Sequence, residues 1–363
     1  MARPRLPHLP RLPRGRRGRV VLAIGVVLAL ALGVVAWRVA TRPEPSRFAA
    51  AARLVPASTI RLLWTDWTAV RREVGSRVSE RSDSDQIESF LNDSFDAGLG
   101  SGSVLVDSAS ALQEYLGFSP ASIDWELSAQ DRRSAITLMG LGDDFDIPRL
   151  RRTLTRAGFT PPDRPGGIWQ GGGDVLADLP RQVTGEVAYL QIDAEARLLV
   201  AANREIDLRE REDDVRGDRD DAVGRLVDAA GATTSASVFT GDYTCAELAM
   251  SGADPADRTR GDELIRQAGG VHPLAAYGLA GEPGGDVRFL FAFDDADQAR
   301  EDADSRAKLA SGPAPGQGGT FPDLFAVTRV VASDTVVTME TKPTEGSLLL
   351  SDLDRGPVLF ASC

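Results

Sequence analysis

Three stretches of the chain share one order of apolar and polar positions, in which an apolar strand runs into an acidic residue and an amphipathic helix follows. They are "IRLLWTDWTAVRREVG" with Asp66 at the junction, "AITLMGLGDDFDIPRLRRTLTRAGF" with Asp146, and "DVRFLFAFDDADQAREDADSRAKL" with Asp294. Aspartate is a favoured helix N-cap because its carboxylate accepts hydrogen bonds from the free N–H groups of the first turn. The pattern predicts three strand-to-helix units, and their irregular spacing is not that of a solenoid repeat.

The third unit is the most acidic stretch of the chain. Its helix is expected to bury a narrow stripe of small residues, Ala296, Ala299, Ala303, Ala307 and Ala310. Opposite charges four residues apart, such as Asp302 with Arg306 and Asp304 with Lys308, are then expected on the solvated face.

The same acidic run is also compared with a calcium-binding loop. Such a loop of twelve residues needs Gly at its sixth position and Glu at its twelfth, whereas counting from Asp294 places Ala299 and Ser305 there. The sequence therefore favours a solvated helix over a calcium site, and no metal ligands or cofactor are predicted.

Two pairs of alternating segments predict β-hairpins. "EVAYLQI" and "RLLVAA" form the first pair, and "AVTRVVA" and "VVTMETK" form the second around Ser333 and Asp334. In "SDQIESFLNDSF", the residues Ile87, Phe90, Leu91 and Phe95 predict one apolar helix face. These elements predict an α+β fold with antiparallel or mixed sheets and helices packed on one face.

The N-terminal region predicts a membrane anchor. Residues 1–19 hold seven Arg and no acid, and residues 20–37 are eighteen uncharged apolar positions, enough to cross a bilayer as a helix. The positive-inside rule then assigns residues 1–19 to a cytoplasmic tail, residues 20–38 to a transmembrane helix, and the bulk of the chain to the extracytoplasmic side of the cell membrane. The alternative is a cleaved signal peptide, for which the apolar run is long and lacks a well-placed cleavage site.

The remaining chain is expected to divide into a linker, residues 39–53, and one α+β domain, residues 54–363. The stretch "TPPDRPGGIWQGGGD", residues 160–174, is rich in Pro and Gly and is a possible division between two lobes.

Charge separates the two parts of the chain. Residues 1–42 hold nine of the 41 basic residues and none of the 53 acids, so the rest has a formal net charge of −21. An acidic surface of this kind repels nucleic acid, so no nucleic-acid partner is predicted.

Both cysteines, Cys245 and Cys363, lie in the part that is predicted to be exported. An even pair in an oxidising compartment predicts one disulfide that closes a long loop. Free thiols or a bridge between two chains are the alternatives.

Three stretches carry a resemblance to a known group of proteins: "LVPASTIRLLWTDWTAVR", "GGVHPL" and "GPVLFASC". Together with the single anchor, they make the chain similar to uncharacterised actinobacterial envelope proteins that place an export anchor before an α+β domain of unknown function. That resemblance implies the cell envelope as location and implies no activity and no catalytic residues.

Candidate chemistry is sparse. His272 is the one histidine after residue 8, so a multi-histidine metal site is excluded and any Ser-His-Asp triad must use it. Its position between Gly and Pro neighbours favours a structural role. Four tryptophans, Trp64, Trp67, Trp125 and Trp169, are possible sugar-stacking platforms, although single tryptophans beside apolar residues are more often core.

These observations predict a non-catalytic extracytoplasmic domain that binds an envelope component, a partner protein or a small hydrophobic ligand. The alternative is an anchored hydrolase that uses a pair of carboxylates on cell-envelope glycans. The two differ in whether acids with perturbed pKa values meet in a cavity beside a tryptophan or spread over helix surfaces.

Overall fold

Eleven antiparallel strands form one sheet in the computed structural model, which describes residues 44–99, 102–211, 215–217 and 221–363. In chain order the strands are β1 Arg61–Thr65, β2 Trp125–Gln130, β3 Ala135–Gly140, β4 Ile168–Gln170, β5 Tyr189–Asp193, β6 Leu198–Ala202, β7 Ser235–Thr240, β8 Ala276–Gly281, β9 Val287–Ala292, β10 Phe325–Ser333 and β11 Val336–Pro343. Across the sheet they follow the order β10-β11-β9-β8-β7-β1-β2-β3-β6-β5-β4. The predicted α+β class and both predicted hairpins are confirmed.

The helices connect these strands. They are α1 Arg47–Ala52, α2 Trp67–Glu73, α3 Ser84–Asp96, α4 Ala109–Ala111, α5 Ile147–Arg156, α6 Gly172–Ala177, α7 Glu205–Glu210, α8 Ala222–Ala230, α9 Gly241–Tyr243, α10 Pro255–Ala268, α11 Ala296–Leu309 and α12 Leu349–Asp352. Two of them continue as single π-helical turns, at Leu112–Leu116 and Thr244–Leu248.

The sheet consists of two halves with the same strand order from the centre outwards. The first runs β1-β2-β3-β6-β5-β4 and the second β7-β8-β9-β11-β10, with β1 and β7 paired in the middle. The registers agree as well, because Trp125 at the start of β2 pairs with Gly140, and Ala276 at the start of β8 pairs with Ala292. A pseudo-two-fold axis therefore passes through the pair Leu63 and Ser237, and the corresponding strands β3 and β9 are each followed by a helix with an aspartate N-cap.

Helices cover both faces of the sheet, so the prediction that they pack on one face is wrong. On the front face, two clusters centre on Met139 in the first half and on Phe289 in the second. On the back face, α1 and α8 pack on a third cluster that includes Leu62, Trp64, Leu127 and Val238. The reason is that the central strands are apolar at nearly every position, as the six buried residues of β8 show.

Part of the predicted linker, residues 39–53, belongs to the folded domain. Ser46 caps α1 by accepting a hydrogen bond from the Ala49 amide at 3.1 Å, and Phe48 is 1% exposed. The Phe48 ring stacks on Trp64 with 5.3 Å between ring centroids. Residues Pro45–Cys363 consequently form one compact unit.

The stretch 160–174 lies inside the first half. It contains β4, which pairs with β5, and Thr160 bridges to Gln170 on the outer side of β4. The connection from the first to the second half instead runs from β6 through α7 and α8 to β7.

The predicted cytoplasmic tail, residues 1–19, and the predicted transmembrane helix, residues 20–38, lie outside the described residues. Among the described residues, no helix has both the length and the apolar character that a bilayer crossing requires.

Truncation of Phe48 tests whether α1 is part of the core. Phe48→Ala is expected to lower the free energy of unfolding of residues 45–363 by about 3–5 kcal/mol, because it leaves a cavity beside Trp64. Urea unfolding measures the change. Leu54→Ala is the control, since Leu54 is 38% exposed and should change stability by less than about 0.5 kcal/mol. Equal effects of both variants would show that residues 47–52 are only a linker.

Candidate binding groove

A groove of about 640 Å³ lies beside β4 and β5. It is lined by Thr160, Pro161, Pro162, Asp163, Arg164, Gly166, Gly167, Ile168, Gln170, Gln191, Glu205, Leu208 and Arg209. Its volume falls within the range of about 300–1,000 Å³ that is usual for small-molecule sites.

Two structural features form the groove. One wall is the loop before β4, in which Gly166 has a φ of 74° and a Cβ at Gly167 would lie 2.7 Å from the Pro162 Cβ. The other wall is α7, which follows β6 almost directly and buries Leu208 in the back-face core. Because Leu208 faces inward, Glu205 and Arg209 are left on the groove side.

Polar side chains of the groove hold each other in place. Gln191 donates from Nε2 to the Gly166 carbonyl at 2.9 Å, and Gln170 donates from Nε2 to Glu205 Oε1 at 3.1 Å. Arg209 forms an ion pair with the same Glu205 carboxylate. Two acids and two arginines line the groove, so its formal charges cancel. Such a lining suits a neutral ligand rich in hydroxyl and amide groups better than a highly charged one.

The sequence pattern does not predict this groove, because the Pro and Gly content of residues 160–174 indicates only a possible division between lobes. The usable signal was a run of prolines, Pro161, Pro162 and Pro165, followed at once by a short strand. Prolines have no N–H to offer, so such a run beside an edge strand marks an exposed wall.

The tryptophans do not line the groove. Trp64 and Trp67 are at most 1% exposed, and Trp169 is 6% exposed in the front-face core. Trp125 stacks on Trp64 with 5.5 Å between centroids. Their main role is packing, which is the interpretation that the sequence favoured.

Glu126 is a buried carboxylic acid on the front face of β2, and it is 1% exposed. It accepts hydrogen bonds from Ser103 Oγ at 2.7 Å, the Val104 amide at 2.9 Å and Trp67 Nε1 at 3.1 Å. Burial raises its pKa from 4.5 to about 7, and the three donors only partly oppose that rise. The side chain therefore ties the segment after α3 to α2, and its carboxyl group is buried against protein groups.

Asp354 is a second buried acid, 5% exposed, near the centre of the front face. It lies 3.7 Å from Arg61 of β1, and burial raises its pKa from 3.8 to about 6. Burial, followed by the nearby Asp354 charge, raises the pKa of Tyr277 well above its ordinary value. Asp354 links the C-terminal segment to β1, across the boundary between the two halves.

His272 belongs to a third polar cluster. Its Nδ1 lies 2.7 Å from Asp302 Oδ1, and its backbone amide donates to both oxygens of that carboxylate. Arg306 is fully buried, pairs with Asp302 at 2.8 Å, and lies 5.4 Å from the centroids of Phe291 and Phe293. Burial of the Arg306 guanidinium away from water is the largest influence on its pKa, which it lowers to about 10.

Arg306 also fixes the C-terminal residues. Its Nη1 donates to the Phe360 and Ser362 carbonyls at 2.7 and 3.0 Å, and its Nη2 donates to the His272 carbonyl at 2.6 Å. All three acceptors are backbone carbonyls, so these bonds hold the chain in place. The cluster around His272 thus agrees with the structural role that the sequence favours for this residue.

Two expectations for α11 are therefore wrong. The N-cap is Asp295, which accepts from the Asp297 and Gln298 amides, and not Asp294. The buried face holds Ala299, Asp302, Ser305, Arg306, Leu309 and Ala310, so Asp302 with Arg306 is a buried pair and not a solvated one. The physical reason is that the carbonyls of the C-terminal segment and the faces of two phenylalanine rings replace water around the guanidinium.

Cys245 and Cys363 are bonded as a disulfide, with their Cα atoms 5.7 Å apart. The bond joins the π-helical turn after α9 to the segment that Arg306 holds. It therefore lies next to the His272 cluster, and it closes a separation of 118 residues.

The chain was compared with protein-family models, with curated proteins and with solved structures, and none of the three comparisons finds a match.

Asp302→Asn tests the buried cluster. The variant leaves the Arg306 charge without its partner, so the free energy of unfolding is expected to fall by about 3–5 kcal/mol. Asp304→Asn is the matched control, because Asp304 is an exposed acid on the same helix and should change stability by less than about 0.5 kcal/mol. Chemical denaturation gives both values, and similar losses would contradict the buried pair.

Glu126 predicts a dependence of stability on pH. Its pKa is 4.5 when solvated and about 7 in the fold, so the folded state binds the proton more tightly than the unfolded state. The associated stabilisation is complete below pH 4.5 and is lost as the pH rises to about 7. In Glu126→Gln this loss should disappear from urea unfolding curves recorded at a series of pH values.

Glu195→Gln serves as the control for that series, because Glu195 is exposed in the turn between β5 and β6. Its curve should follow that of the unmodified protein. If Glu126→Gln also follows it, the Glu126 carboxyl does not titrate in this range.

Proposed function

We propose that this protein is a membrane-anchored, extracytoplasmic, non-catalytic binding domain that takes a polar component of the cell envelope in the groove beside β4. The groove itself is the observation that carries the proposal, because it is large, neutral in sum and lined by amides and backbone groups. Hydroxyl and acetamido groups, as in envelope glycans, are the complementary chemistry.

The positions of the acidic residues do not favour the alternative function, a carboxylate-dependent hydrolase. A glycoside hydrolase needs two carboxyl groups that flank the scissile bond, one of them with a raised pKa. The two acids with the largest raised values, Glu126 and Asp354, are 1% and 5% exposed and bind protein groups. Neither lines the groove, whose own acids are Asp163 and Glu205.

A hydrophobic small ligand is also less well supported than a polar one. A cavity with a mainly apolar lining, formed by Leu264, Leu309, Pro313 and Leu359 among others, holds about 180 Å³. This is below the usual lower bound of about 300 Å³ for a ligand site.

Extracytoplasmic location is part of the same proposal. The disulfide between Cys245 and Cys363 and the net charge of −21 outside residues 1–42 both suit an exported domain. The anchor in residues 20–38 and the resemblance to actinobacterial envelope proteins stay predictions.

Titration with chitotetraose, a neutral glycan fragment, tests the ligand class. The full-length protein in detergent micelles is expected to bind it with a Kd between micromolar and millimolar, measured by isothermal titration calorimetry. Arg164→Ala should weaken binding about five-fold, as the loss of a hydrogen bond of about 1 kcal/mol predicts. Arg152→Ala is the matched control, because Arg152 is exposed on α5 and does not line the groove.

Chromatography of the glycan after prolonged incubation completes the test. Unchanged chitotetraose is the expected result. Shortened products that disappear in Glu205→Gln would overturn the non-catalytic assignment, and equal binding by Arg164→Ala and Arg152→Ala would place the ligand elsewhere.

A further inference from the structure

The strand β10 forms one end of the sheet, at the opposite end from β4 and the groove. It is nine residues long, and in the described part of the chain no strand pairs with its outer side. A strand edge of this kind presents unpaired N–H and C=O groups to other chains. A register shift between Val327 and Arg329 separates the strand into a short start and a regular stretch, Arg329–Ser333.

The pseudo-symmetry identifies the position in the first half that corresponds to this edge. Gly140 pairs with Leu198, and Ala292 pairs with Val336, so Leu198 of β6 corresponds to Val336 of β11. The hairpins continue this match, because Leu198 pairs with Asp193 and Val336 pairs with Ser333. Counting back three residues along each strand, Leu190 of β5 corresponds to Val330 of β10.

In the first half that edge is occupied by the chain itself. Trp169 of β4 pairs with Leu190, with Ile168 opposite Gln191 and Gln170 opposite Tyr189. The second half has the same edge without a strand of its own. The corresponding positions on β10 are Val331, Val330 and Arg329.

The hydrogen-bond pattern of β4 shows which backbone groups are used. Gln170 exchanges both of its backbone hydrogen bonds with Thr160, at 2.8 and 3.0 Å, so its N–H and C=O point away from β5. Because these directions alternate along a strand, Trp169 is the residue that bonds to Leu190. By the same alternation, Val330 directs its N–H and C=O to the free side of β10.

Apolar side chains lie next to the β10 edge, as they do next to the β5 edge that β4 covers. Val330 and Ala332 are partly buried and pack against the second-half core together with Ala303 of α11. In the first half the residue opposite Leu190 is Trp169, which is 6% exposed and completes the front-face core. An added strand would thus place an apolar or aromatic residue opposite Val330 and a polar residue opposite Arg329, as Gln170 is placed in β4.

The acidic surface beside β10 favours basic residues on either side of the apolar pair in an added strand. The helix that packs against β10 exposes three acids, Asp297, Glu301 and Asp304, of which Asp297 already pairs with Arg300. Arg329 is already paired with Glu340 at 3.2 Å. Basic residues beside the apolar pair are therefore the complementary choice.

We propose that β10 is a docking edge for an extended peptide segment of a partner protein, which adds to the sheet antiparallel to Arg329–Ser333. The segment would resemble Ile168–Gln170, with an apolar residue opposite Val331, an aromatic residue opposite Val330 and a polar residue opposite Arg329, and with basic flanks. Backbone hydrogen bonds would supply affinity, and the apolar contact with the partly buried Val330 side chain would supply selectivity. This surface is independent of the groove, so either can fail in a test without the other.

A synthetic peptide, Lys-Gly-Gly-Ile-Trp-Gln-Gly-Lys with blocked ends, tests the proposal. It copies residues 166–171 between two lysines. Hydrogen-exchange mass spectrometry of the full-length protein in detergent micelles is expected to show saturable protection, with exchange in residues 325–334 slowed about ten-fold at saturating peptide. A scrambled peptide of the same composition should give no protection.

The backbone hydrogen bonds between Val330 and the peptide can be removed from either side, by a substitution in the protein or by a modification of the peptide. Val330→Pro removes the outward N–H, which an edge strand tolerates, and should abolish protection, whereas Val330→Ala keeps the N–H and should retain saturable protection. If Val330→Pro does not fold, the peptide with an N-methylated tryptophan serves instead, since it lacks the N–H that would reach the Val330 carbonyl.

Three outcomes would overturn the proposal. Protection confined to residues 186–193 would show that the peptide replaces β4. Equal protection by the N-methylated peptide would show contact without strand addition. Protection of residues 325–334 that grows with protein concentration in the absence of peptide would identify a second copy of this chain as the occupant.

Discussion

The pairing of β1 with β7 is the constraint on which the rest of the structure depends. It joins six strands to five strands, and its register from Arg61 opposite Phe239 to Thr65 opposite Ser235 sets the axis that relates the two halves. Without this pair each half would gain an open edge, at β1 or at β7, and the backbone groups of these strands would need other partners. The pairing also brings the apolar back-face residues Leu62 and Val238 under the same helices, so the two halves share a core.

The buried charges are arranged to hold this assembly together. Arg61 of β1 pairs with Asp354 of the C-terminal segment, and Arg306 binds the carbonyls of the same segment beside the disulfide. Removing water from such groups is costly. Arg306 is compensated by Asp302 and by three backbone carbonyls, whereas Arg61 and Asp354 face each other as a looser ion pair. Burial of these groups explains why the pKa values of Glu126, Arg306 and Asp354 are strongly shifted although none of the three lines the groove. Perturbed acids are a common sign of an active site, but in this fold their surroundings are closed.

The two ends of the sheet differ although the two halves share one strand order. At one end β4, the bridge to Thr160 and the prolines before it close the edge, and the same loop forms a wall of the groove. At the other end β10 has no such cover in the described residues. Two halves with one strand order therefore present two unlike surfaces, one concave and polar, the other a strand edge beside a partly buried apolar strip.

The sequence by itself determined the local elements. Period-two alternation identified both hairpins, and capping chemistry identified the helices that begin after Asp66 and Asp146, because these signals act between residues close in the chain. Spacing also paired Asp302 with Arg306 but assigned the pair to the wrong face. Only the tertiary structure decided that burial, since the carbonyls and rings that surround Arg306 come from distant segments. The two-fold relation and the groove were likewise invisible, because strand register and loop packing depend on contacts between residues far apart in sequence.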